Sequence, residues 1–510
     1  MQNFYITTPI YYVNAAPHIG TLYTTLVADV VARFKRLDGY NVKFVTGSDE
    51  HGQKIEQAAK NRNLSPQELA DEVSLKFINL FKKANITNDD FIRTTEQRHK
   101  DAVVALWNKL KEAGHIYLGQ YSGWYSVRDE SYFTDKELID GKAPTGANVE
   151  RISEENYFFD LSKWRGKLLD LYAKNPDFIT PKWRMKEIVN IVESGLPDIS
   201  VSRTAFKWGI SIPGDPNHTM YVWLDALTNY ISALGYPSMD SQDFKDFWPT
   251  NVHMMGKDIT KFHAIYWPAI LMAAGLPLPK QIVSHGWWVV KGEKMSKSLN
   301  NVIDPFELIE KYGLDPLRYY MMREISFGED GGFSEDLLIS RANSDLSNKI
   351  GNLLQRTLAF AYKNFNGLIP KFEATKLKAL YSQSDILQEA TGLLKKARTA
   401  LDSFQFNQML EILVQFADRL NVYIDQKAPW KLKHSDPRGT EEVLYITLEA
   451  MRYLSILLTA FIPDSASQML DQLNIPQDQR SFKNLTIDFA LKGSELSEPK
   501  AVFQRICKTL

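Results

Sequence analysis

Apolar and polar positions along the chain follow two rhythms, and the change between them divides it. Residues 4–13 (Phe-Tyr-Ile-Thr-Thr-Pro-Ile-Tyr-Tyr-Val) are aromatic and β-branched, the composition of a strand, with Pro9 toward its C-terminal end. Leu22, Leu26, Val30 and Phe34 then recur every fourth residue, which marks one face of a helix over 21–38. A second strand over 41–46 leads into Gly47-Ser48-Asp49-Glu50-His51-Gly52. Ser65-Pro66-Gln67-Glu68 reads as a helix start, with Ser as N-cap, Pro at the first helical position and Glu closing a capping box. Strands and helices in alternation predict an α/β fold on a doubly wound, parallel, Rossmann-like sheet. Ligands of such sheets bind beyond the carboxyl ends of the strands, where strand order reverses.

From 113 to 222 that rhythm gives way to aromatic, turn-rich sequence such as Gln120-Tyr121-Ser122-Gly123-Trp124-Tyr125, and the stretch reads as an insertion between two halves of the sheet. Alternation resumes at Val252-His253-Met254-Met255. A helix is expected over 259–274 and one strand over Gln281 to Val290. Beyond Ser334 strand signals fade, and leucines at helical spacing (Leu346, Leu353, Leu410, Leu413, Leu444, Leu448) predict a C-terminal α-helical bundle. The expected organisation is 1–112 as first half of a nucleotide-binding domain, 113–222 as insertion, 223–335 as second half, and 336–510 as helical domain.

Composition narrows the class. With 510 residues, 44% hydrophobic and 24% charged, the chain has the balance of a globular protein of two or three domains. No apolar run approaches the roughly 20 residues that cross a bilayer, and the N-terminus lacks a signal-peptide pattern, so a cytoplasmic protein is expected. The single cysteine, Cys507, excludes an internal disulfide and denies thiolate ligands to any metal site. A formal net charge of −1 gives no global attraction to nucleic acid, so an RNA partner must be held by local patches and shape.

Two motifs carry candidate chemistry. Lys294-Met295-Ser296-Lys297-Ser298 places two ammonium groups and two hydroxyls after the turn at Gly292, a loop suited to follow phosphate oxygens during displacement. His18-Ile19-Gly20-Thr21 lies where the first strand gives way to the first helix. Free N–H groups there favour a phosphate, and a glycine lets a base or phosphate approach the backbone. Taken alone, each is ordinary: a K-x-x-K pair is usually a solvated turn, and a Pro-His-x-Gly segment only a turn.

Together they resemble the paired signatures of class I aminoacyl-tRNA synthetases. Thr8 to Asn14, Gly47 to Gly52, Tyr221-Val222-Trp223-Leu224-Asp225-Ala226, Gly256-Lys257-Asp258 and Ala428-Pro429-Trp430 make the chain similar to the methionyl members. One departure stands out: the first signature ends in Thr21 where the class has histidine, so that position supplies a hydroxyl and no imidazole.

The resemblance implies a two-step reaction, methionine plus ATP to methionyl-adenylate and then transfer to tRNA(Met). His18, Lys294 and Lys297 are the expected stabilisers of phosphate charge. It implies ATP contacts by His18, Gly20, Thr21, Gly256, Asp258, His285, Lys294, Met295, Ser296 and Lys297, with Mg²⁺ arriving on the nucleotide. It implies a methionine pocket of Ile10, Tyr12, Asp49, Trp223, Ala226, Tyr230, His263 and Trp267. Asp49 would pair with the ammonium, aromatic walls would surround the thioether, and His263 and Tyr12 would offer it donors. Asn352 and Arg356, four apart on one helical face, with Trp430 as a stacking plane, are the implied readers of anticodon bases. Methionyl enzymes often carry a cysteine-ligated zinc knuckle in the insertion; with no cysteine there, no structural zinc is expected.

Two other readings fit the motifs less well. A class I enzyme for leucine, isoleucine or valine would need a larger editing insertion, and one for cysteine would need zinc-ligand cysteines. A non-catalytic RNA-binding relative would have no use for a triphosphate clamp. A monomer is the default expectation.

Overall fold

The computed structural model describes residues 1–126, 131–133, 135–290, 292–295, 301–493 and 495–507. The chain divides into two compact units, one of residues Asn3–Ala28 and Val42–His285, the other of Met1–Gln2, Asp29–Asn41 and Gly286–Leu510.

The first unit is built on six strands: β1 (Asn3–Tyr12), β2 (Asn41–Asp49), β3 (Asp90–Arg93), β4 (Ile179–Thr180), β5 (Val252–Gly256) and β6 (Ile282–His285). Their order across the sheet is β3-β2-β1-β5-β6-β4, and the pairings β1 with β5, β5 with β6, β6 with β4 and β2 with β3 are parallel. β1 is buried over residues 4–9, and β5 and β6 are buried save Gly256 at the end of β5, as a sheet covered on both faces requires. From β1 the chain winds outward through β2 and β3. It later returns to the other side of β1 with β5, so the topological switch point lies between β1 and β5. The helix Pro66–Lys83 carries the expected cap, with Ser65 and Glu68 exchanging hydrogen bonds and Pro66 leading the first turn.

Between β3 and β5 the chain forms the helix Gln97–Glu112 and a four-stranded antiparallel sheet centred on Ile116–Ser126 and Glu150–Phe159. The region also lends β4 to the edge of the main sheet, which its sequence did not announce. The helix expected over 259–274 is present in pieces: a 3₁₀ turn Lys257–Ile259, a π turn Phe262–Tyr266 and an α-helix Trp267–Ala273.

The second unit corrects one expectation. Gln281 to Val290 is not one strand: β6 ends at His285, and Trp288–Val290 belongs to a separate three-stranded sheet with Glu293–Lys294 and Gly331–Gly332. The break falls at Gly286, where a Cβ would stand 2.1 Å from the carbonyl oxygen of Glu329, so only glycine lets the backbones pass. From Glu335 the unit is helical. Helix Pro437–Leu458 is buried almost all round, and inside it Glu449 pairs with Arg452 at 2.6 Å and accepts from Tyr381 at 2.6 Å. The C-terminal segment lies along the turn Ala342–Gly351, where Asn343 exchanges two 2.9 Å hydrogen bonds with Ile506. No helix among the described residues is long and apolar enough to cross a membrane.

Candidate active site

At the switch point the turn after β1 brings His18 over the start of the helix Ile19–Leu37. The Gly20 N–H donates to His18 Nδ1 at 3.0 Å. A Cβ on Gly20 would lie 2.8 Å from the same ring, so glycine here makes room for the histidine to fold back on the helix end. One turn on, the Thr24 hydroxyl donates to Gly20 O at 3.1 Å and so receives the Nε2 proton of His285 at 2.8 Å. His285 also meets Tyr23 edge to face, ring centroids 4.9 Å apart. At the end of β5, a Cβ on Gly256 would lie 2.8 Å from Asp258 Oδ1 and 3.7 Å from His285 Cε1. The sequence-selected residues His18, Gly20, Gly256, Asp258 and His285 are therefore linked, and Thr24, which the sequence reading passed over, joins them. Thr21 is buried in the first turn of the same helix, 6% exposed.

Beside them stands an aromatic and imidazole cluster. Tyr230 lies within 6.1 Å, centroid to centroid, of His253, His263 and Trp267. Its hydroxyl faces His263 Nε2 at 2.6 Å, and His263 Nδ1 faces Ile259 O at 3.0 Å. Since a carbonyl only accepts, Nδ1 carries the proton, Nε2 accepts, and Tyr230 donates. Burial pushes the His263 pKa down to about 4, only partly offset by the Ile259 bond, so the ring is neutral near pH 7. Both its nitrogens are engaged, Nδ1 by the Ile259 carbonyl and Nε2 by the Tyr230 hydroxyl, which holds the Tyr230 ring in place.

Trp223 stacks on Phe262 with centroids 3.5 Å apart and planes at 10°. The pair borders a cavity of 390 Å³ whose other walls come partly from the insertion, including Phe158 and Ile199, and partly from Leu227, Ile265 and Ile270; Asp49 and Tyr12 do not line it. Ala226 is buried, and Ile10 and Trp223 pack on the core. Asp49 ends β2, 4% exposed, and the Lys54 ammonium sits 5.1 Å from the Tyr12 ring centroid. His253, its Nδ1 2.7 Å from Thr7 Oγ1, was missed from the sequence, as was Phe262.

Next to this wall is a buried carboxylate shared by two histidines. Asp225 Oδ2 meets His51 Nδ1 at 2.7 Å, and Oδ1 meets His99 Nε2 at 2.7 Å. Burial alone would raise the Asp225 carboxyl; His51 and His99 outweigh it and hold the group well below the usual carboxylate range.

In the second unit, Lys294 lies in the strand Glu293–Lys294, paired with Val289, after a turn at Gly292 whose φ is 81°. Met295 is half-buried; Ser296, Lys297 and Ser298 lie outside the described residues. Asn352 is exposed at the start of the helix Asn352–Asn364 and, among the described residues, makes no side-chain hydrogen bond. One turn later Arg356 binds Asp425 at 2.8 Å and Asn421 at 3.0 Å, on the helix Phe406–Lys427 that runs into Trp430. Trp430 is 41% exposed. Among the described residues no group of three His, Cys, Asp or Glu side chains is placed to hold a metal ion.

A doubly wound parallel sheet with a histidine-glycine turn at its switch point, followed by a helical bundle, is the plan of a class I tRNA synthetase. The family model described as tRNA synthetases class I (M) matches residues 4–151 and 137–358, and that of the anticodon binding domain of methionyl tRNA ligase matches 378–509. The chain is 53% identical over 508 residues to a methionine–tRNA ligase of Rickettsia felis, with 99% of each covered, and 48% identical over 510 residues to that of Rhizobium meliloti, with 98% of each covered. It is similar in structure to Mycobacterium tuberculosis methionyl-tRNA synthetase in complex with methionyl-adenylate, with a TM-score of 0.94, 43% identity, and 99% and 100% of the two chains covered. The chain belongs to the methionyl family of class I tRNA synthetases.

Proposed function

We infer that the chain is a methionine–tRNA ligase, which activates L-methionine with ATP and transfers it to tRNA(Met). The observation that carries this reading is the likeness of the whole length to relatives of that one activity, at about half identity, across both the catalytic and the anticodon-binding regions.

In the first step a methionine carboxylate oxygen attacks the α-phosphorus of ATP. The bond from that phosphorus to the bridging oxygen breaks, and pyrophosphate leaves as methionyl-adenylate forms. In the second, a hydroxyl of the terminal tRNA ribose attacks the acyl carbon, loses its proton, and releases AMP. No protein nucleophile enters; catalysis rests on holding the reactants in line and neutralising charge that builds on phosphate. His18, Lys294 and Lys297 carry that charge. Gly20, Thr21, Gly256, Asp258, His285, Met295 and Ser296 hold the nucleotide, which arrives with Mg²⁺. Asp49 pairs with the ammonium, and Ile10, Tyr12, Trp223, Ala226, Tyr230 and Trp267, with His263 behind Tyr230, shape the side-chain pocket. The linkage of His18, Gly20, Gly256, Asp258 and His285 at the switch point supports the nucleotide assignment. The Tyr230–His263 bond supports the pocket wall.

Asn352, Arg356 and Trp430 read the anticodon, the exposed Trp430 offering a face for a base. The domain limits follow the sequence: 1–112 and 223–335 form the catalytic domain, 113–222 the insertion and 336–510 the tRNA-binding domain. The enzyme works in the cytoplasm as a monomer. Methionine-dependent exchange of labelled pyrophosphate into ATP tests the assignment. Wild type is expected to exchange with methionine and not with leucine, isoleucine, valine or cysteine; exchange with one of those instead, or RNA binding without exchange, overturns it.

A further inference from the structure

The carboxylate of Asp225 occupies a junction. It lies in the helix Val222–Leu227, two residues after Trp223 and next to Ala226, so it is rigidly tied to one wall of the side-chain pocket. Through Oδ2 it holds His51, two residues beyond Asp49, in the turn that leaves β2. Through Oδ1 it holds His99, whose Nδ1 meets Ser232 Oγ at 2.9 Å at the end of the short helix that carries Tyr230. Asp225 and His99 are 1% and 0% exposed, and His51 is 3% exposed. An ion-like bridge sealed from water resists displacement, because breaking it strands a buried charge. The rest of the turn is fastened elsewhere: Glu50 to Arg93, Ser48, Ser74 and Thr95, and its backbone to Trp208. Those bonds fix the turn to β3 and to the insertion, whereas the His51–Asp225 bond joins it to the helix of Trp223.

We propose that Asp225 is a positioning residue for amino-acid binding, setting through His51 and His99 the distance between the Asp49 carboxylate and the aromatic wall, and so coupling ammonium recognition to side-chain recognition. The proposal rests on the methionine reading given above. Asp225 touches no substrate. Removing its charge leaves Trp223 and Ala226 on their helix and unties the His51 end of the Asp49 turn from that helix while the turn's other anchors remain, so the loss falls on ligands that carry an ammonium.

The test compares methionine with 4-(methylsulfanyl)butanoate, which is methionine without its ammonium, used as an inhibitor of pyrophosphate exchange. Asp225→Asn is expected to raise the KM for methionine about tenfold, as for loss of a hydrogen bond to a charged group. The inhibition constant of the desamino compound and the KM for ATP stay at their wild-type values. His51→Ala reproduces the effect. His51→Asn, whose amide nitrogen falls where Nδ1 lies, restores much of the methionine affinity. This pair carries the test if Asp225→Asn does not fold. Equal losses for both ligands, an unchanged methionine KM, or no rescue by His51→Asn overturns the proposal. Absence of methionine-dependent exchange in wild type would instead overturn the reading on which it rests.

Discussion

The cluster around Tyr230 and the surface around Asn352 were selected from the sequence by the same resemblance, yet the folded chain builds them by opposite means. Tyr230, His263, His253 and Trp267 are buried and tied to one another and to the backbone, so their geometry exists before any ligand arrives. Asn352 and Trp430 stand on the surface, and Arg356 is held by groups that solvent also reaches. A small, flexible thioether has few handles, and selectivity against shorter or branched side chains rests on a wall that does not yield. Unstacked bases bring broad faces and polar edges, and the proposed reading of them by Asn352, Arg356 and Trp430 asks only for an accessible amide and one exposed ring.

The contrast is broken or sharpened most by Asp49→Asn. If the inner site is preorganised around an ammonium partner, the KM for methionine in pyrophosphate exchange should rise about a hundredfold or more, since an unpaired buried charge costs roughly 3–5 kcal/mol. An unchanged KM would remove Asp49 from the pocket. Next in size is Trp430→Ala, expected to raise the KM for tRNA in aminoacylation about tenfold, from loss of one base–aromatic stack of roughly 1–3 kcal/mol. Methionine-dependent exchange in the same preparation should keep its wild-type parameters, and a fall in both would mean that the substitution disturbs the fold. Gly20→Ala should come third. Its methyl meets the His18 ring, and overpacking of this kind costs about 1–3 kcal/mol, read as a lowered melting temperature together with a lower kcat for exchange.

A pH series separates the regions more gently. His263 has a folded pKa of about 4 against 6.5 when unfolded, so the unfolded chain binds the extra proton between those values. Its contribution to stability is complete above about 6.5 and is lost as pH falls toward 4; thermal melts of wild type and His263→Gln should therefore diverge in slope across that window and run parallel above it. The smallest effect is expected for Asp425→Asn, which releases the solvent-exposed end of the Arg356 pair. Stability should change by less than about 1 kcal/mol in urea unfolding.

Legibility followed the range of the interaction. The Ser65 cap, the strand before His18 and the helix after it depend on neighbours within a turn or two, and the residues named them. The strand break at Gly286 depends on Glu329, and β4 is two residues with no period to detect. The π turn that carries His263 has the composition of an α-helix. In the site, His18, Gly20, Gly256, Asp258 and His285 were chosen by motif and are found linked. The Asp225 junction joins side chains 174 and 126 positions away, and no local pattern pairs them. The engagement of both His263 nitrogens was equally hidden, since it depends on Tyr230 and the Ile259 carbonyl.

The lone thiol of the chain, Cys507, is exposed, and it directly follows Ile506, which Asn343 grips from the stretch leading to Asn352. A maleimide dye would thus attach once per molecule, without background, on a tether anchored at the foot of the helix proposed to read the anticodon. Its emission would give a direct optical titration of RNA arrival in the unmutated enzyme.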